Sequence, residues 1–163
     1  MSIPDKRLIH DAAASRWTAA DIMRSDPRTC SPFSTVLETT VIFRVEDCEA
    51  VPVVDAGKPV GIVTDRDVAL ALPDYIDLAE RPVSDIMRRG LVSVRPDDPL
   101  DLVRHKFGDH KVRHVLVIDA DDQMVGIIAW ADLILYLPAE DACEVIAEIV
   151  ERLPQRIGKK GEG

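Results

Sequence analysis

The sequence predicts an α+β fold made of two copies of one unit with a helix at each end. Three observations predict it. First, "TAADIM" at 18–23 returns as "PVSDIM" at 82–87, so the two Asp-Ile-Met triplets stand 64 residues apart. That offset also aligns Pro32 with Pro96, Val51 with Val115, Val53 with Val117 and Asp55 with Asp119. After one extra residue in a turn, "VGIVTDRDV" (60–68) aligns with "VGIIAWADL" (125–133). Second, each copy holds two short β-branched runs separated by a turn, which is a hairpin pattern. Third, stretches with apolar residues at helical spacing lie between those runs. A repeat of this length is sought first, because missing it misreads the whole architecture.

Each unit reads as helix, strand, helix, strand, strand, helix. Thr18 and Ser84 suit N-caps of an opening helix that ends near the triplet, since their hydroxyls can satisfy free N–H groups. A short extended piece follows, "RTCS" in one copy and "LVSV" in the other. Phe33, Val36, Leu37, Thr40 and Val41 then recur at helical spacing, as do Leu100, Val103 and Phe107 behind the capping candidates Asp97 and Asp98, and each helix is expected to bury that face. "AVPVVD" and "VLVID" are first hairpin strands, "AGKP" and "ADDQM" the turns, "VGIVT" and "VGIIAW" the second strands. Residues 66–72 and 131–137 return to helix.

A three-stranded unit of this size cannot cover both faces of its sheet. The two copies are therefore expected to pack sheet against sheet, with pseudo-two-fold symmetry, into one core. This divides the chain into an N-terminal helical extension (1–17), repeat 1 (18–72), an acidic connector (73–81), repeat 2 (82–137) and a C-terminal helix with a tail (138–163). Leu8, Ile9, Ala12, Ala13 and Trp17 form one terminal stripe, and Ala142, Val145, Ile146, Ile149 and Leu153 form the other.

Bulk properties narrow the function classes. With 47% hydrophobic and 30% charged residues the composition is that of a globular protein, and no apolar run approaches the roughly 18 residues that cross a bilayer. Charges interrupt the N-terminal stretch, so no secretory signal is read and a cytoplasmic location is expected. A net charge of −9 repels nucleic-acid backbones. Cys30, Cys48 and Cys143 are odd in number, widely spaced and lack a C-x-x-C pair, so neither a disulfide framework nor a zinc site is suggested. His10 and His105 are assigned to the surface, and no His/Asp/Glu group has metal-ligand spacing.

The duplicated "DIM…PVVD…GKPVGIVTDRDV" unit resembles the cystathionine-β-synthase (CBS) domain, and two in tandem resemble a Bateman module, over about residues 16–137. The resemblance implies a stand-alone regulatory module rather than a catalyst. It implies a ligand sensor for an adenosine-containing molecule (AMP, ADP, ATP or S-adenosylmethionine) in clefts between the repeats, requiring no cofactor, often paired into a homodimer, and acting on an unknown partner protein.

In the family's T-x-x-D ending the Asp takes the ribose hydroxyls and the Thr approaches the phosphate, which maps onto Asp67 and Thr64. The chemistry suits the assignment. A carboxylate has only acceptors and can bridge the two donors of a cis-diol, and a helix start turns N–H groups toward an anion. The plain alternative is that Thr64, Asp65 and Asp67 cap a helix, as those residue types commonly do. Asp65 and Arg66 are expected to face solvent. The second copy reads Ala129, Trp130, Ala131, Asp132, keeping the Asp and losing the hydroxyl, a change of about two- to twelvefold in affinity for one hydrogen bond. Trp130 can stack on a base or pack as an ordinary hydrophobic residue.

By family position the adenine walls come from Thr29, Cys30, Ala50, Val51 and Pro52. "HKVRHVLVI" supplies His110, Lys111, Arg113 and His114, of which Arg113 and His114 stand where the family places phosphate-facing residues; a solvated basic edge is the alternative. The first copy has Glu49 and Ala50 there instead. No nucleophile elbow, Walker loop or H-E-x-x-H helix points to catalysis. The competing reading is a ligand-free interaction module that docks a partner enzyme or transporter.

Overall fold

The computed structural model describes residues 16–150. In chain order they form α1 (Ala19–Ile22), β1 (Arg24–Ser25), α2 (Val36–Glu46), β2 (Ala50–Asp55), β3 (Lys58–Thr64), α3 (Asp65–Ala71), β4 (Ser93–Val94), α4 (Leu100–His110), β5 (His114–Ile118), β6 (Met124–Ala129), α5 (Trp130–Leu133) and α6 (Ala139–Val150). Single 3-10 turns occupy Leu78–Glu80, Val83–Asp85 and Ile134–Tyr136. This is the expected α+β pair of repeats. Leu8, Ile9, His10, Ala12 and Ala13 of the first terminal stripe, and Leu153 of the second, lie outside the described residues. Among the described residues no helix is long and apolar enough to cross a membrane.

Local chemistry sets the element boundaries. The Thr35 hydroxyl accepts the Glu38 N–H at 3.1 Å, and the Glu38 carboxylate accepts the Thr35 N–H at 2.8 Å, which fixes the start of α2. The chain leaves α2 at Asp47 in the left-handed region. The β2–β3 hairpin turns through Ala56 and Gly57, both at positive φ, a pairing that matches the twist of the flanking strands.

Strand pairing shows how the repeats join. β6 pairs antiparallel with β5 and with β1, and β4 adds parallel to β5, giving a sheet ordered β1-β6-β5-β4. The other sheet is the β2–β3 hairpin, extended by bridges from Cys30 to Val53 and from Arg88 to Ile62. β1 belongs to the first repeat by sequence, yet it completes the second repeat's sheet. Arg88, its equivalent, completes the first repeat's. The segments after the two triplets are therefore exchanged.

The backbone repeats the pseudo-symmetry bond for bond. Ala19 N–H donates to Asp98 O at 2.9 Å and Val83 N–H to Ser34 O at 2.8 Å. Ala20 N–H donates to Pro96 O at 2.9 Å and Ser84 N–H to Pro32 O at 3.1 Å. These bonds explain two departures from expectation. Ser84 sits inside a 3-10 turn capped by Pro82, because its N–H is spent on the opposite repeat. Asp98 does not cap α4, since its carboxylate takes the Arg95 N–H at 2.7 Å and its carbonyl takes Ala19; Pro99 holds the cap position.

Among the described residues the buried apolar side chains divide into three clusters instead of the single core expected. The largest joins Leu100, Val103 and Phe107 of α4, Val115 and Val117 of β5, and Val145 and Ile149 of α6 with Ala19 and Ile22 from the first repeat's opening helix. The second joins Val51, Val53 and Val63 to Val83 and Met87 from the second repeat's opening. The third is small: Val36, Ala71 and Leu78. Each hairpin face thus closes over the other copy's opening segment, which separates the clusters.

Of the face expected to be buried on α2, Val36 is buried and Thr40 partly so, but the rest is exposed. Phe33 is 82% exposed and Leu37 57%, with Val41 and Val45 continuing the stripe, while Val36 and Thr39 are buried. The helix is apolar on two sides, and the sheet can cover only one. In the second repeat, α6 packs along α4 through ion pairs of Arg104 with Glu144 and Asp141; the equivalent stripe there is Asp97, Asp101, His105 and Asp109.

The exchange depends on two glycines. A Cβ on Gly126 would collide with the Met23 side chain and stand 3.1 Å from Arg24 O, and a Cβ on Gly61 would stand 2.5 Å from Met87 Sδ and 3.1 Å from Arg88 O. Gly126→Ala is expected to destabilise the protein by about 1–3 kcal/mol through overpacking against a paired backbone, and Met23→Ala in the same chain is expected to restore only the side-chain part of that loss. Urea denaturation of the single and double variants measures both.

Candidate functional site

A cleft of about 580 Å³ opens where the exchanged segment meets the ends of both hairpins. The first repeat supplies Glu49, Ile62, Thr64, Asp65 and Arg66, the crossing segment supplies residues 88–92, the loop between α4 and β5 supplies residues 111–113, and β5 supplies His114. Ile62, Leu91, Val92, Val112, Leu116 and Ile149 give it an apolar wall. Arg66, Arg88, Arg89, Lys111 and Arg113 face Glu49 and Asp65, the only acidic lining residues among the described residues. A chain with net charge −9 thus concentrates positive charge in one hollow. Such a groove attracts anions by focusing field between low-dielectric walls.

Thr64 and Asp67 are built as one unit. β3 ends at Thr64, whose hydroxyl accepts the Asp67 N–H at 3.2 Å, while Asp67 Oδ2 accepts the Thr64 N–H at 2.9 Å and the Thr64 hydroxyl at 2.8 Å. Arg88 adds a third partner: its Nε donates to Asp67 Oδ2 at 3.1 Å and its terminal nitrogen to Thr64 Oγ1 at 3.2 Å. The Asp67 side chain is 15% exposed and Arg88 58%. Thr64 lines the cleft, and Asp67 stands behind it, outside the lining.

His114 is half-buried at the start of β5. Burial first, then the neighbouring Arg88 and Arg113 charges, push its pKa down to about 4, with Asp65 opposing. It is a neutral imidazole at pH 7, able to donate one hydrogen bond and accept another. An anion among these arginines would offset what disfavours its charged form.

Of the residues predicted from sequence, Thr64, Arg113 and His114 are brought together on the cleft, with Asp67 directly behind. Val51 and Cys30 are buried in the hairpin's own cluster, Thr29 is exposed, and Pro52 accepts the Cys30 N–H at 3.1 Å; none of the four lines the cleft. Asp132 lies in the other half, and its side chain has no hydrogen-bond or ion-pair partner among the described residues, because Ala129 offers no hydroxyl to build the equivalent unit. Asp65 and Arg66 are exposed, as expected, but at the cleft mouth. Sequence reading missed Arg88 and Arg89. The available signal was an arginine directly after each triplet, Arg24 and Arg88, at the repeat offset. Among the described residues no group of three or more His, Cys, Asp or Glu side chains could hold a metal ion.

A two-repeat α+β module with exchanged openings and a cationic hollow at the joint is the class of protein that fold and site define. The CBS domain model matches residues 19–74 and 83–139, and the chain belongs to that family. The CBS domain-containing protein YhcV of Bacillus subtilis is 33% identical over 113 residues, covering 69% of this chain and 80% of that protein. The CBS domain pair of protein MJ0100, solved in complex with 5′-methylthioadenosine and S-adenosyl-L-methionine, superposes with a TM-score of 0.64 at 29% identity, over 72% of this chain and 92% of that one. CBSX2, solved with AMP, shares the fold at a TM-score of 0.61 and 22% identity, over 72% and 93% of the two chains.

The depressed His114 pKa has a definite sign. The unfolded chain takes up its proton near pH 6.5 and the folded chain only near 4, so this contribution is fully present above about 6.5 and is lost as pH falls toward 4. The loss is expected to total about 3 kcal/mol. Thermal melts across that window should show a shallower acid slope for His114→Asn than for the parent protein; equal slopes would remove this role for the histidine.

Proposed function

We propose that this protein is a regulatory sensor that binds an adenosine-containing ligand in the cleft between its CBS repeats. The observation that carries the reading is the concentration of arginines in a hollow bordered by the Thr64–Asp67 unit. Asp67 is assigned the ribose hydroxyls, Thr64, Arg113 and His114 the phosphate side, and the apolar wall about Ile62 the base. Pro52 supports that wall from β2, where it stands opposite Ile62, with Val51 and Cys30 in the buried cluster behind it and Thr29 at its exposed edge. The cationic lining favours AMP, ADP or ATP over S-adenosylmethionine, whose sulfonium adds positive charge. Asp132 marks a second, weaker cleft. The reading gives the protein a regulatory role without catalysis or a required cofactor, and places it in the cytoplasm, where three free cysteines are at home.

The reading also includes homodimerisation. The exposed stripe Phe33, Leu37, Val41 and Val45 supports it, because an apolar face of that length on a helix is costly to leave in water. The same stripe is what a docking-only module would use, so the ligand test separates the two functions.

AMP at 100 times its dissociation constant is expected to raise the unfolding free energy by about 2.7 kcal/mol, read as a thermal shift, and Asp67→Ala is expected to abolish that shift. No shift with any adenosine compound would leave only the docking module. Leu37→Glu is expected to convert a dimer to a monomer in sedimentation velocity; a parent protein that already sediments as a monomer refutes the pairing.

A further inference from the structure

The acceptor assigned to the sugar is already occupied by the protein itself. Asp67 Oδ2 receives the Thr64 N–H, the Thr64 hydroxyl and Arg88 Nε, and Oδ1 also lies 3.1 Å from Arg88 Nε. The two Thr64 donors come with the helix start and cannot leave without undoing it. Arg88 can leave: its side chain is more than half exposed, it lies on the cleft, and among the described residues its guanidinium is held only by Asp67 and by the Thr64 hydroxyl beside it. A diol reaching Asp67 must therefore displace Arg88, and Arg88 must then find another anion.

Resting on the adenosyl reading of this cleft, we propose that Arg88 is its specificity-determining residue, a latch on Asp67 that an adenosine ligand opens only if it carries a phosphate to receive the guanidinium. A nucleoside without phosphate pays for breaking the Arg88–Asp67 pair and leaves the guanidinium unmatched. A nucleotide exchanges one carboxylate partner for a phosphate of greater charge, to which the guanidinium fork is suited. The neighbours reinforce the direction, since Arg89, Lys111 and Arg113 line the same hollow and draw the anion in. The other half of the molecule lacks the device. Arg24 stands at the position equivalent to Arg88, but it forms no ion pair with Asp132 among the described residues.

Calorimetric titration of adenosine and of AMP into the full chain, its Arg88→Ala, Arg88→Lys and Arg89→Ala variants, tests the latch. Arg88→Ala is expected to bind adenosine about two- to fivefold tighter, the scale of releasing a partly exposed ion pair, and to bind AMP about tenfold more weakly, so the two ligands move in opposite directions. Arg88→Lys is expected to recover part of the AMP affinity. Arg89→Ala is expected to weaken AMP without tightening adenosine. Adenosine binding that is unchanged or weaker in Arg88→Ala, with AMP still bound by the parent protein, overturns the latch and leaves the adenosyl reading standing. Failure of the parent and every variant to bind either compound overturns that reading, and the latch with it.

Discussion

The structure depends on the exchange of the segments that follow the two Asp-Ile-Met triplets. A hairpin with one covering helix cannot shield both faces of its sheet, and here the missing edge comes from the other copy. Arg24–Ser25 pairs with β6, and Arg88 pairs with β3. Both contacts need a residue without a side chain on the receiving strand, which is why Gly126 and Gly61 stand opposite Met23 and Met87. Neither half is complete alone, and the two repeats share one fold although their buried residues form separate clusters.

The same exchange builds the site. Arg88 reaches Thr64 and Asp67 because its backbone is bonded to Ile62 in the adjacent strand, with Arg88 N–H donating to Ile62 O at 2.8 Å and Ile62 N–H donating to Arg88 O at 2.9 Å. Arg113 and His114 arrive from the opposite repeat at the start of β5. Positive charge from three separate stretches of chain thus converges on one helix start, and the histidine among them is held neutral. Charges that would be solvated singly act together here because the hollow between them is walled by Ile62, Leu116 and Ile149.

Duplication left the copies alike in backbone and different in chemistry. Ala129 stands in the second copy where the first has Thr64, so the box that organises Asp67 has no counterpart at Asp132. The helix faces diverged as well. α4 is covered by α6 and carries acidic residues where α2, with Phe33 just before it, shows Leu37, Val41 and Val45 to solvent. One half is equipped to hold an anion and to offer an apolar face, and the other is closed by the C-terminal helix.

How much was legible follows from the range of each interaction. The repeat, the hairpins and the Thr64–Asp67 pairing are set by residues within a few positions of one another, so period and side-chain type reveal them directly. Arg113 and His114 were legible through family position. Arg88 was not, because nothing local ties it to Asp67, 21 residues away in sequence. The exposure of the α2 stripe was likewise hidden: a helix apolar on two sides does not declare which side meets the sheet. The sequence by itself determined the duplicated unit, its order of elements and the carboxylate at the end of β3. Only the tertiary structure decided which copy each opening segment completes, which arginine holds that carboxylate, and which faces stay in water, since these rest on contacts between distant residues whose geometry exists only once the two halves have closed on each other.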